Sequence, residues 1–343
     1  MKRLALIFVA VVAVLATLSS ISCRSGNGAS ESRPAALQSS TATTSYIHYQ
    51  KTATVGATFT RETWTNWTRA AYITNYARQV GTRIAKCVID GSALAGAGWG
   101  VRSYDCVDWE IVDCRFQNIL GPRDDNGDGE PDRYAGEHGA YPNTAGNFTV
   151  LRSSFNMIAG QGLQFVFRLT ETSDPSLATA RGLISVRECS FTNVGLANPN
   201  HSQNGRAGYC ISAFTTAQAV EVIDCAIENV GNPWWSVNPS SPNAPRYNSY
   251  GGILIEGHPS ARVVNTSVTL DNPDRALLDV RNCDVVEIVE FVGNSTTSKS
   301  QVRVTNCRVV KVVPREDGNA GNAWLYVDGK RLQPMSQPYA HSR

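Results

Sequence analysis

The sequence is poor in charge, in methionine and in long apolar runs. Of its 343 residues only 17% are charged and 42% are hydrophobic, a balance opposite to that of disordered chains, so long disordered regions are not expected. The 31 Lys and Arg residues nearly match the 29 Asp and Glu residues, whereas a dedicated nucleic-acid binder carries a basic excess. A P-loop, a dinucleotide fingerprint, a nucleophile elbow and a zinc-ligand spacing are all absent from the sequence. The plentiful Gly, Ser, Thr, Asn and Val residues favour strands and turns over helices.

The one long apolar run stands at the N-terminus and indicates export. Met1-Lys2-Arg3 precedes a run of 15 mostly apolar residues, Leu4 to Leu18, which is short for a membrane span of roughly 20 residues. This arrangement predicts a secretory signal peptide. Cys23 at its end resembles the lipidated cysteine of a bacterial lipobox, although Ser20 stands where that pattern prefers Leu. We expect an outer-membrane-anchored lipoprotein or a secreted or periplasmic protein; the alternative for Cys23 is that an ordinary signal is cleaved nearby.

Two short segments recur along the rest of the chain. One pairs a small residue with an apolar residue and a following polar stretch, and its copies begin at Cys114, Ser153, Cys189, Cys225 and Thr266. The other is a glycine followed by alternating apolar residues, with copies at Gly100, Gly139, Gly162, Gly208 and Gly252. Near the C-terminus the segment Val280–Val286 matches Val304–Val310 at a spacing of 24 residues. Such a period, with two or three short strands in each copy, predicts stacked coils of a solenoid.

This pattern resembles the right-handed parallel β-helix proteins of the pectate-lyase-like superfamily over residues 85–325. The resemblance implies an all-β fold, a right-handed single-stranded parallel β-helix (solenoid), and a polysaccharide as partner. It says little about activity, because this fold hosts lyases, hydrolases, epimerases, phage spikes and adhesins. The motif sets of its polygalacturonase-like hydrolases and of its mannuronan epimerases are absent from the sequence.

The cysteines follow the repeat. Cys114, Cys189 and Cys225 share one phase of the coil, and Cys283 and Cys307 share another. Because a buried thiol packs like a small apolar side chain, we expect most of them to be reduced and inward-facing, without a catalytic role. One disulfide between stacked cysteines of adjacent coils stays open as an alternative.

The ends of a solenoid need caps. Trp64, Trp67, Ala71 and Ile73 fit one face of a helix, so the segment Arg61–Gln79 is predicted as an N-terminal cap helix, with a short strand as the alternative. The polar C-terminal tail either crosses the last coil or frays. The predicted divisions are a signal peptide (1–23), a flexible linker (24–45), an N-terminal cap (46–84), the β-helix (85–325) and the tail (326–343).

Three long insertions follow the same repeat segment. They are Leu120–Asn147, Gly195–Ala207 and Gly231–Gly251. An equal phase predicts long loops on one corner of the coil, stacked into a wall beside one sheet. In the resembled superfamily such a wall and its neighbouring sheet form the glycan groove. A fourth insertion, Leu169–Thr179, leaves from another phase and is expected to project elsewhere.

The first insertion contains a calcium-type loop. Its oxygen ligands fall at the alternating positions of a calcium-binding turn, with Gly129 where the turn needs glycine. It resembles the loops of thrombospondin type 3 repeats, but Ala135 stands where an EF-hand has its bidentate Glu, so Glu137 would complete the site. The alternative is a solvated acidic turn. We predict a structural Ca²⁺ ion held by Asp124, Asn126, Asp128, the carbonyl of Glu130, and Asp132.

Candidate catalytic residues follow directly. His138 is a candidate general base and Tyr141 a candidate general acid for β-elimination on a uronic acid. Glu137 precedes them, and the substrate carboxylate would be neutralised by Arg123, Arg133 or calcium. The alternative is that Glu137 and His138 form a structural hydrogen-bonded pair at the start of a strand.

The second and third insertions supply candidate substrate-binding residues. Arg206 is a further candidate catalytic residue, and exposed aromatic rings are platforms on which sugars stack. The alternatives are a solvated polar loop and tryptophans that pack as the loop's own core. The predicted substrate-binding residues are His201, Trp234, Trp235, Tyr247 and Tyr250.

Three functions remain open on the sequence. The first is a calcium-dependent polysaccharide lyase acting on uronic-acid glycans, which requires a base and an acid converging on one cleft. The second is a non-catalytic glycan-binding or adhesive protein tethered to a membrane only through Cys23. The third is a structural scaffold whose loops thicken the solenoid.

Overall fold

The structure is a computed structural model that describes residues 58–60, 63–64, 71–73, 79–91, 99–120, 122–123, 133–134, 138–144, 146–166, 182–195, 208–214, 218–230, 251–270, 276–296 and 300–343. All elements in these residues are β-strands. Within them, no helix has the length and hydropathy needed to cross a membrane.

Three long sheets form the body of the molecule. Sheet I has 10 strands in the order β1 (Thr58–Thr60), β5 (Arg83–Ala85), β8 (Trp109–Val112), β13 (Phe148–Leu151), β16 (Gly182–Arg187), β19 (Gln218–Ile223), β22 (Ser260–Val264), β25 (Val285–Val289), β28 (Val309–Val313) and β31 (Tyr339–Ser342). Sheet II has 8 strands in the order β2 (Thr63–Trp64), β6 (Val88–Asp90), β9 (Arg115–Ile119), β14 (Ser154–Ile158), β17 (Ser190–Val194), β20 (Ala226–Glu228), β23 (Ser267–Leu270) and β26 (Val292–Ser295). Sheet III has 11 strands, with β4 (Gln79–Val80) beside the second strand of the order β3 (Ala71–Ile73), β7 (Val101–Val107), β12 (Ala140–Thr144), β15 (Leu163–Val166), β18 (Tyr209–Phe214), β21 (Gly251–Glu256), β24 (Leu278–Arg281), β27 (Gln301–Thr305), β29 (Trp324–Val327) and β30 (Lys330–Pro334).

The chain visits the sheets in the order I, II, III, and each circuit is one coil of a parallel β-helix-like solenoid. Apart from the last two strands, β30 and β31, the strands of these sheets pair in parallel with the equivalent strands of the neighbouring coils. Two corners are tight in most coils: only Asp108 separates β7 from β8, and only Asp113 and Cys114 separate β8 from β9. The exception is the stretch 167–181 between β15 and β16, which contains the fourth predicted insertion and leaves from a different corner, as expected. The third corner, from sheet II to sheet III, carries the long insertions. We call it the open corner.

The interior is built from ladders of identical register. On sheet I, one inward position is occupied by a β-branched residue in eight successive coils, and all of these residues are buried. β-branched side chains pack well on a pleated surface, and burying each one stabilises the fold by roughly 1.5–3 kcal/mol. The ladder is Ile84, Ile111, Val150, Val186, Val222, Val263, Ile288 and Val312.

On sheet II, the equivalent inward position is occupied by stacked phenylalanine rings in three successive coils. Phe116 and Phe155 stack with ring centroids 4.6 Å apart, and Phe155 and Phe191 with centroids 4.8 Å apart. These spacings match the distance of about 4.8 Å between adjacent strands, so each ring covers the next along the axis. The three rings are fully buried.

The tight corners combine a left-handed residue with a buried small one. Asp113, Glu188 and Asp224 have φ values of 53–54°, and each is followed by a buried cysteine at the corner between sheets I and II. At the corner between sheets III and I, Asn282 and Asn306 also have positive φ values, and the buried Cys283 and Cys307 follow them. The eight cysteines that the structure describes are all buried, which confirms the prediction that these positions face inward.

The predicted cap helix is wrong wherever its segment is described. Residues 63–64, 71–73 and 79–80 are strands β2, β3 and β4. β1 and β3 pair in parallel with β5 and β7, so parallel pairing reaches back to Thr58. Apolar residues at positions 64, 71 and 73 also suit short strands, and the unpaired edge of the first coil offers these strands hydrogen-bonding partners.

At the C-terminus the strands reverse direction. β30 pairs antiparallel with β29, and β31 pairs antiparallel with β28. The segment 326–343 therefore crosses the last coil rather than fraying. The first insertion is also shorter than expected, because Ala140–Thr144 already forms β12 of sheet III.

Candidate functional site

The ends of the three insertions meet at the open corner. The insertions follow Ile119 and Val194, which end sheet II strands, and Val230, two residues beyond β20. The chain re-enters sheet III at β12, β18 and β21. Most residues of the insertions lie outside the described part of the chain. The outer face of sheet III beside their ends is described. It carries arginine, histidine, aromatic and amide side chains next to one another.

One column of this face is polar and half-buried in three successive coils. Arg102 of β7 is in register with Tyr141 of β12, and Ala140 pairs with Leu163, which places Gln164 of β15 next in the column. All three columnar side chains are half-buried. Because successive strands are about 4.8 Å apart, these three groups form a row along the solenoid axis.

Two aromatic rings flank the guanidinium group of Arg102. Its Cζ atom lies 4.3 Å from the centroid of the Trp99 ring and 5.5 Å from that of Tyr141. Both distances are within the range of a cation–π interaction. Trp99 is half-buried, so the ring keeps accessible surface. We refer to Trp99, Arg102, His138 and Tyr141 as the aromatic–arginine cluster.

His138 is held in one protonation state by its surroundings. Its Nδ1 atom accepts a hydrogen bond from the backbone N–H of Gln161 at 2.9 Å, which leaves the ring proton on Nε2. Its ring packs edge-on against Tyr141, with centroids 5.4 Å apart. Desolvation, reinforced by the charge of Arg102, lowers the pKa of His138 to about 3. His138 is therefore neutral at physiological pH and presents an N–H donor.

The neighbouring coil adds a buried amide with an unused donor. Gln161 is fully buried, and its Oε1 atom accepts a hydrogen bond from the Ser212 hydroxyl at 2.6 Å. Its Nε2 atom is buried without a hydrogen-bond partner in the structure. An unsatisfied buried donor is rare, and it belongs to the same residue whose backbone N–H binds His138.

A second, closed cluster lies further along the same face. Tyr209 donates a hydrogen bond to Asp279 at 2.8 Å, and Asp279 also accepts from Arg281 Nε at 2.9 Å. Tyr209 and Asp279 are buried. The Tyr209 ring fills the space that a Cβ atom at Gly251 would occupy, 2.6 Å from the nearest ring atom, so only glycine fits there. The carboxylate holds the pKa of Arg281 above its ordinary value.

Only two of the predicted site residues fall within the described chain, His138 and Tyr141, and the structure brings them together. The other predicted residues lie outside the described residues, namely Glu137, His201, Arg206, Trp234, Trp235, Tyr247, Tyr250 and the lipidation candidate Cys23.

The calcium-type loop is described only at its ends. Pro122–Arg123 and Arg133–Tyr134 form an antiparallel pair, β10 and β11, so the residues flanking the predicted ligands are held together. The ligands Asp124, Asn126, Asp128, Glu130 and Asp132 lie outside the described residues. Among the residues that are described, no cluster of three or more His, Cys, Asp or Glu side chains could hold a metal ion.

Sequence reasoning missed Trp99, Arg102 and Gln161. The signal was present in the repeat: the glycines at 100, 139 and 162 align, so the residue before each (Trp99, His138, Gln161) and two after each (Arg102, Tyr141, Gln164) fall in the same columns. These positions belong to the coil itself and not to the insertions, in which the candidate site residues were sought.

Comparison with known proteins adds no further guide to this site. No protein-family profile, no curated protein and no solved structure matches the chain.

Proposed function

We propose that this protein is an exported β-helix that binds acidic polysaccharide along the outer face of sheet III. The observation that carries the proposal is the aromatic–arginine cluster at the open corner, where Arg102 lies against both Trp99 and Tyr141. A pyranose ring offers C–H groups that stack on aromatic faces, and a uronic acid adds a carboxylate that a guanidinium group binds.

The row of groups suits a linear polymer. Arg102, Tyr141 and Gln164 stand on successive coils, so one chain running along the axis would meet a cation, a ring and an amide in turn. The N–H of neutral His138 supplies a hydrogen bond to hydroxyl or carboxylate oxygens beside this row.

Binding is favoured over elimination by the state of His138. A general base works best when its pKa lies near the operating pH, and the pKa of His138 is lowered to about 3. Its Nδ1 lone pair is already occupied by the Gln161 N–H. A calcium-dependent lyase remains the alternative, with its base on an insertion and Tyr141 as the acid.

The remaining features of the proposal concern export and the loop. We propose the right-handed winding that parallel crossover connections adopt, a pectate-lyase-like kinship, and a lipid anchor at Cys23 that places the solenoid at a membrane surface. We also propose a structural Ca²⁺ ion in the 124–132 loop, whose flanking residues are paired as β10 and β11. Calcium would neutralise the loop's carboxylates and so order it.

Binding is tested with the full chain and two polymers of opposite character. Affinity electrophoresis in gels containing sodium alginate or neutral dextran should retard the protein only in alginate. Trp99→Ala and Arg102→Gln should each weaken alginate binding about tenfold, equivalent to roughly 1.4 kcal/mol. The matched control is Trp324→Ala, because Trp324 also lies under a guanidinium group, 3.6 Å from Arg331, but on the last coils away from the insertions.

The outcomes separate the functions. Equal retardation of wild type, Trp99→Ala and Trp324→Ala would contradict a binding site at the open corner. Release of unsaturated uronate, followed by ultraviolet absorbance and abolished by Tyr141→Phe, would instead establish the lyase. Isothermal titration with CaCl₂ should show one site that Asp128→Asn removes, while Asp317→Asn in a different exposed turn leaves it unchanged.

A further inference from the structure

We propose that six cysteines form three disulfides that staple adjacent coils, joining Cys87 to Cys114, Cys189 to Cys225, and Cys283 to Cys307. In this structure the six are thiols. The inference is independent of what the open corner binds, because the pairs lie at the two tight corners.

Backbone register places the two members of each pair directly over one another. In all three pairs, the residue after the second cysteine donates its N–H to the carbonyl of the first. The bonds run from Arg115 to Cys87 at 2.9 Å, from Ala226 to Cys189 at 3.0 Å and from Arg308 to Cys283 at 3.2 Å. Adjacent strands are about 4.8 Å apart, which lies inside the Cα separation of about 4.4–6.8 Å that disulfides span.

The side chains adopt one common orientation. Each of the six thiols contacts the carbonyl oxygen two residues before it, at 3.1–3.4 Å. The second thiol of each pair also reaches a carbonyl of its partner's coil. Cys114 contacts Ile84 at 3.4 Å, Cys225 contacts Val186 at 3.6 Å and Cys307 contacts Val280 at 3.9 Å. Each second sulfur therefore leans towards the coil of its partner, and Cys189 leans in the same direction, with its sulfur 3.6 Å from the carbonyl of Val150.

The pairing is reflected in the acidity of the thiols. Hydrogen bonding within the second pair lowers the pKa of Cys189 and raises that of Cys225. In the third pair, the hydrogen bond from Cys283 lowers the pKa of Cys307 to about 7, and the charge of Arg343 contributes. A lowered pKa raises the thiolate fraction, and the thiolate is the nucleophile, so Cys189 and Cys307 are the expected attacking thiols of their pairs.

Two of the pairs also form part of surface grooves. Cys87 and Cys114 line a groove of about 450 Å³ at the corner between sheets I and II. Cys283 and Cys307 line one of about 310 Å³ at the corner between sheets III and I. The cysteines themselves are buried beneath these grooves, so a disulfide reagent reaches their sulfurs when the corner opens locally.

The two remaining described cysteines provide an internal control. Cys106 is in register with Gln79 and Thr144, and its thiol donates to the carbonyl of Asn143 at 3.2 Å. Cys210 lies between the register positions of Gly162 and Gly252, and burial raises its pKa. Neither has a cysteine in the adjacent-coil position.

The reaction is a thiol–disulfide exchange with a small-molecule disulfide as oxidant. One cysteine thiolate attacks the oxidant, forming a mixed disulfide and releasing one reduced thiol. The stacked cysteine loses its proton, attacks the protein sulfur of the mixed disulfide and releases the second thiol. Each pair loses two protons and two electrons, and the oxidant disulfide is reduced to two thiols.

The test is a disulfide map of the full chain. Reduced protein is incubated with oxidised glutathione, quenched with iodoacetamide and digested, and the peptides are identified by mass spectrometry. The expected result is three linked peptides carrying the pairs Cys87–Cys114, Cys189–Cys225 and Cys283–Cys307, with Cys106 and Cys210 alkylated.

The same disulfide map can overturn the proposal. Fewer than three of these links, or Cys106 or Cys210 linked to any of the six, overturns it. A second measurement does not depend on a variant: the urea midpoint of the oxidised protein should rise relative to the reduced protein and return after dithiothreitol. Cys210→Ser should not change that difference, whereas Cys283→Ser should diminish it.

Discussion

The two tight corners of the coil and its open corner contrast in almost every respect. At the tight corners a left-handed residue is followed by a buried one in many coils, and the turns have one to three residues except between β15 and β16. At the open corner the chain departs after Ile119, Val194 and Val230 by segments of different length. The difference teaches that two corners keep short turns of similar structure in most coils, whereas the third corner carries insertions of different length and sequence.

The outer faces of sheets I and III also differ in how their charged side chains are surrounded. On sheet I, Arg262, Glu287 and Lys311 form an exposed charge ladder, with nitrogen–oxygen distances of 3.0 Å. Such exposed pairs contribute at most about 1 kcal/mol each. On sheet III, by contrast, Arg102 is packed against two aromatic rings. Five substitutions or conditions test this division, in order of decreasing effect.

Phe155→Ala should destabilise the fold most, by about 4 kcal/mol. The ring is stacked between Phe116 and Phe191, so truncation leaves a cavity that neither neighbour can fill. The midpoint of urea unfolding, followed by circular dichroism, measures the loss. Phe155→Leu is the control and should cost less than half as much; equal losses would mean that stacking contributes nothing beyond the shape of the coil.

Asp279→Asn should cost about 3 kcal/mol. Asp279 is buried and bonded to both Tyr209 and Arg281, so its neutralisation leaves a guanidinium group without its counter-ion. The same urea measurement applies. The pair Asp279→Asn with Arg281→Gln should recover part of the stability, and a double variant no more stable than the single one would argue against the ion pair.

Acid should destabilise the protein between pH 6.5 and about 3. Burial lowers the pKa of both His138 and His258, and that of His138 falls to about 3. Below pH 6.5 these two histidines are protonated in the unfolded chain but remain neutral in the folded chain. Stability present at neutral pH is therefore lost as the pH falls. For His138 the loss at pH 5 is about 2 kcal/mol.

The measurement is the melting temperature as a function of pH. His138→Gln should flatten the decline over this range, and His341→Gln, on the last strand, should leave it as it is. A wild-type melting temperature that stays constant from pH 7 to pH 4 would contradict the lowered pKa values of His138 and His258.

Asn282→Val should cost about 1 kcal/mol. Asn282 has a φ of 53°, where a β-branched side chain is strained, and its Oδ1 accepts from Asn306 at 2.8 Å. Asn282→Gly removes the hydrogen bond but relieves the strain, so it should be the milder change. If glycine were the more damaging of the two, conformational preference would not govern the tight corner.

Trp99→Ala should have the smallest effect on stability, below about 0.5 kcal/mol, because the ring lies half-buried outside the coil. Its effect on alginate affinity should nevertheless be the tenfold loss described above. Thermal melting and affinity electrophoresis on the same preparation separate the two effects. A loss of stability comparable to that of Asn282→Val would make Trp99 a structural residue.

The fold was predictable because its signal is repeated. The cysteine phases, the aligned glycines and the 24-residue spacing each indicated stacked coils, and the structure contains parallel sheets in that register. The N-terminal segment misled because its apolar residues are few. Trp64, Ala71 and Ile73 satisfy a helical period, yet also the short strands that pair with the first full coils.

The candidate site was predictable only in part. His138 and Tyr141 were found because their residue types are chemically conspicuous. Arg102 and Gln161 were missed because their importance comes from neighbours in adjacent coils, 39 residues away for Arg102 and Tyr141 and 23 for Gln161 and His138. The lowered pKa of His138 depends on burial and on Arg102, and neither is visible in a local motif.

The most direct test of the account is hydroxyl-radical footprinting of the protein with and without alginate oligosaccharide, because it reports on each exposed aromatic ring separately. Oxidation of Trp99 and Tyr141 should fall when the oligosaccharide is present, while Trp324 and Tyr326, on the last coils, should oxidise at an unchanged rate. Protection of Trp324 and Tyr326 without protection of Trp99 and Tyr141, or no protection of any ring at saturating oligosaccharide, would contradict the claim that the open corner is the recognition surface.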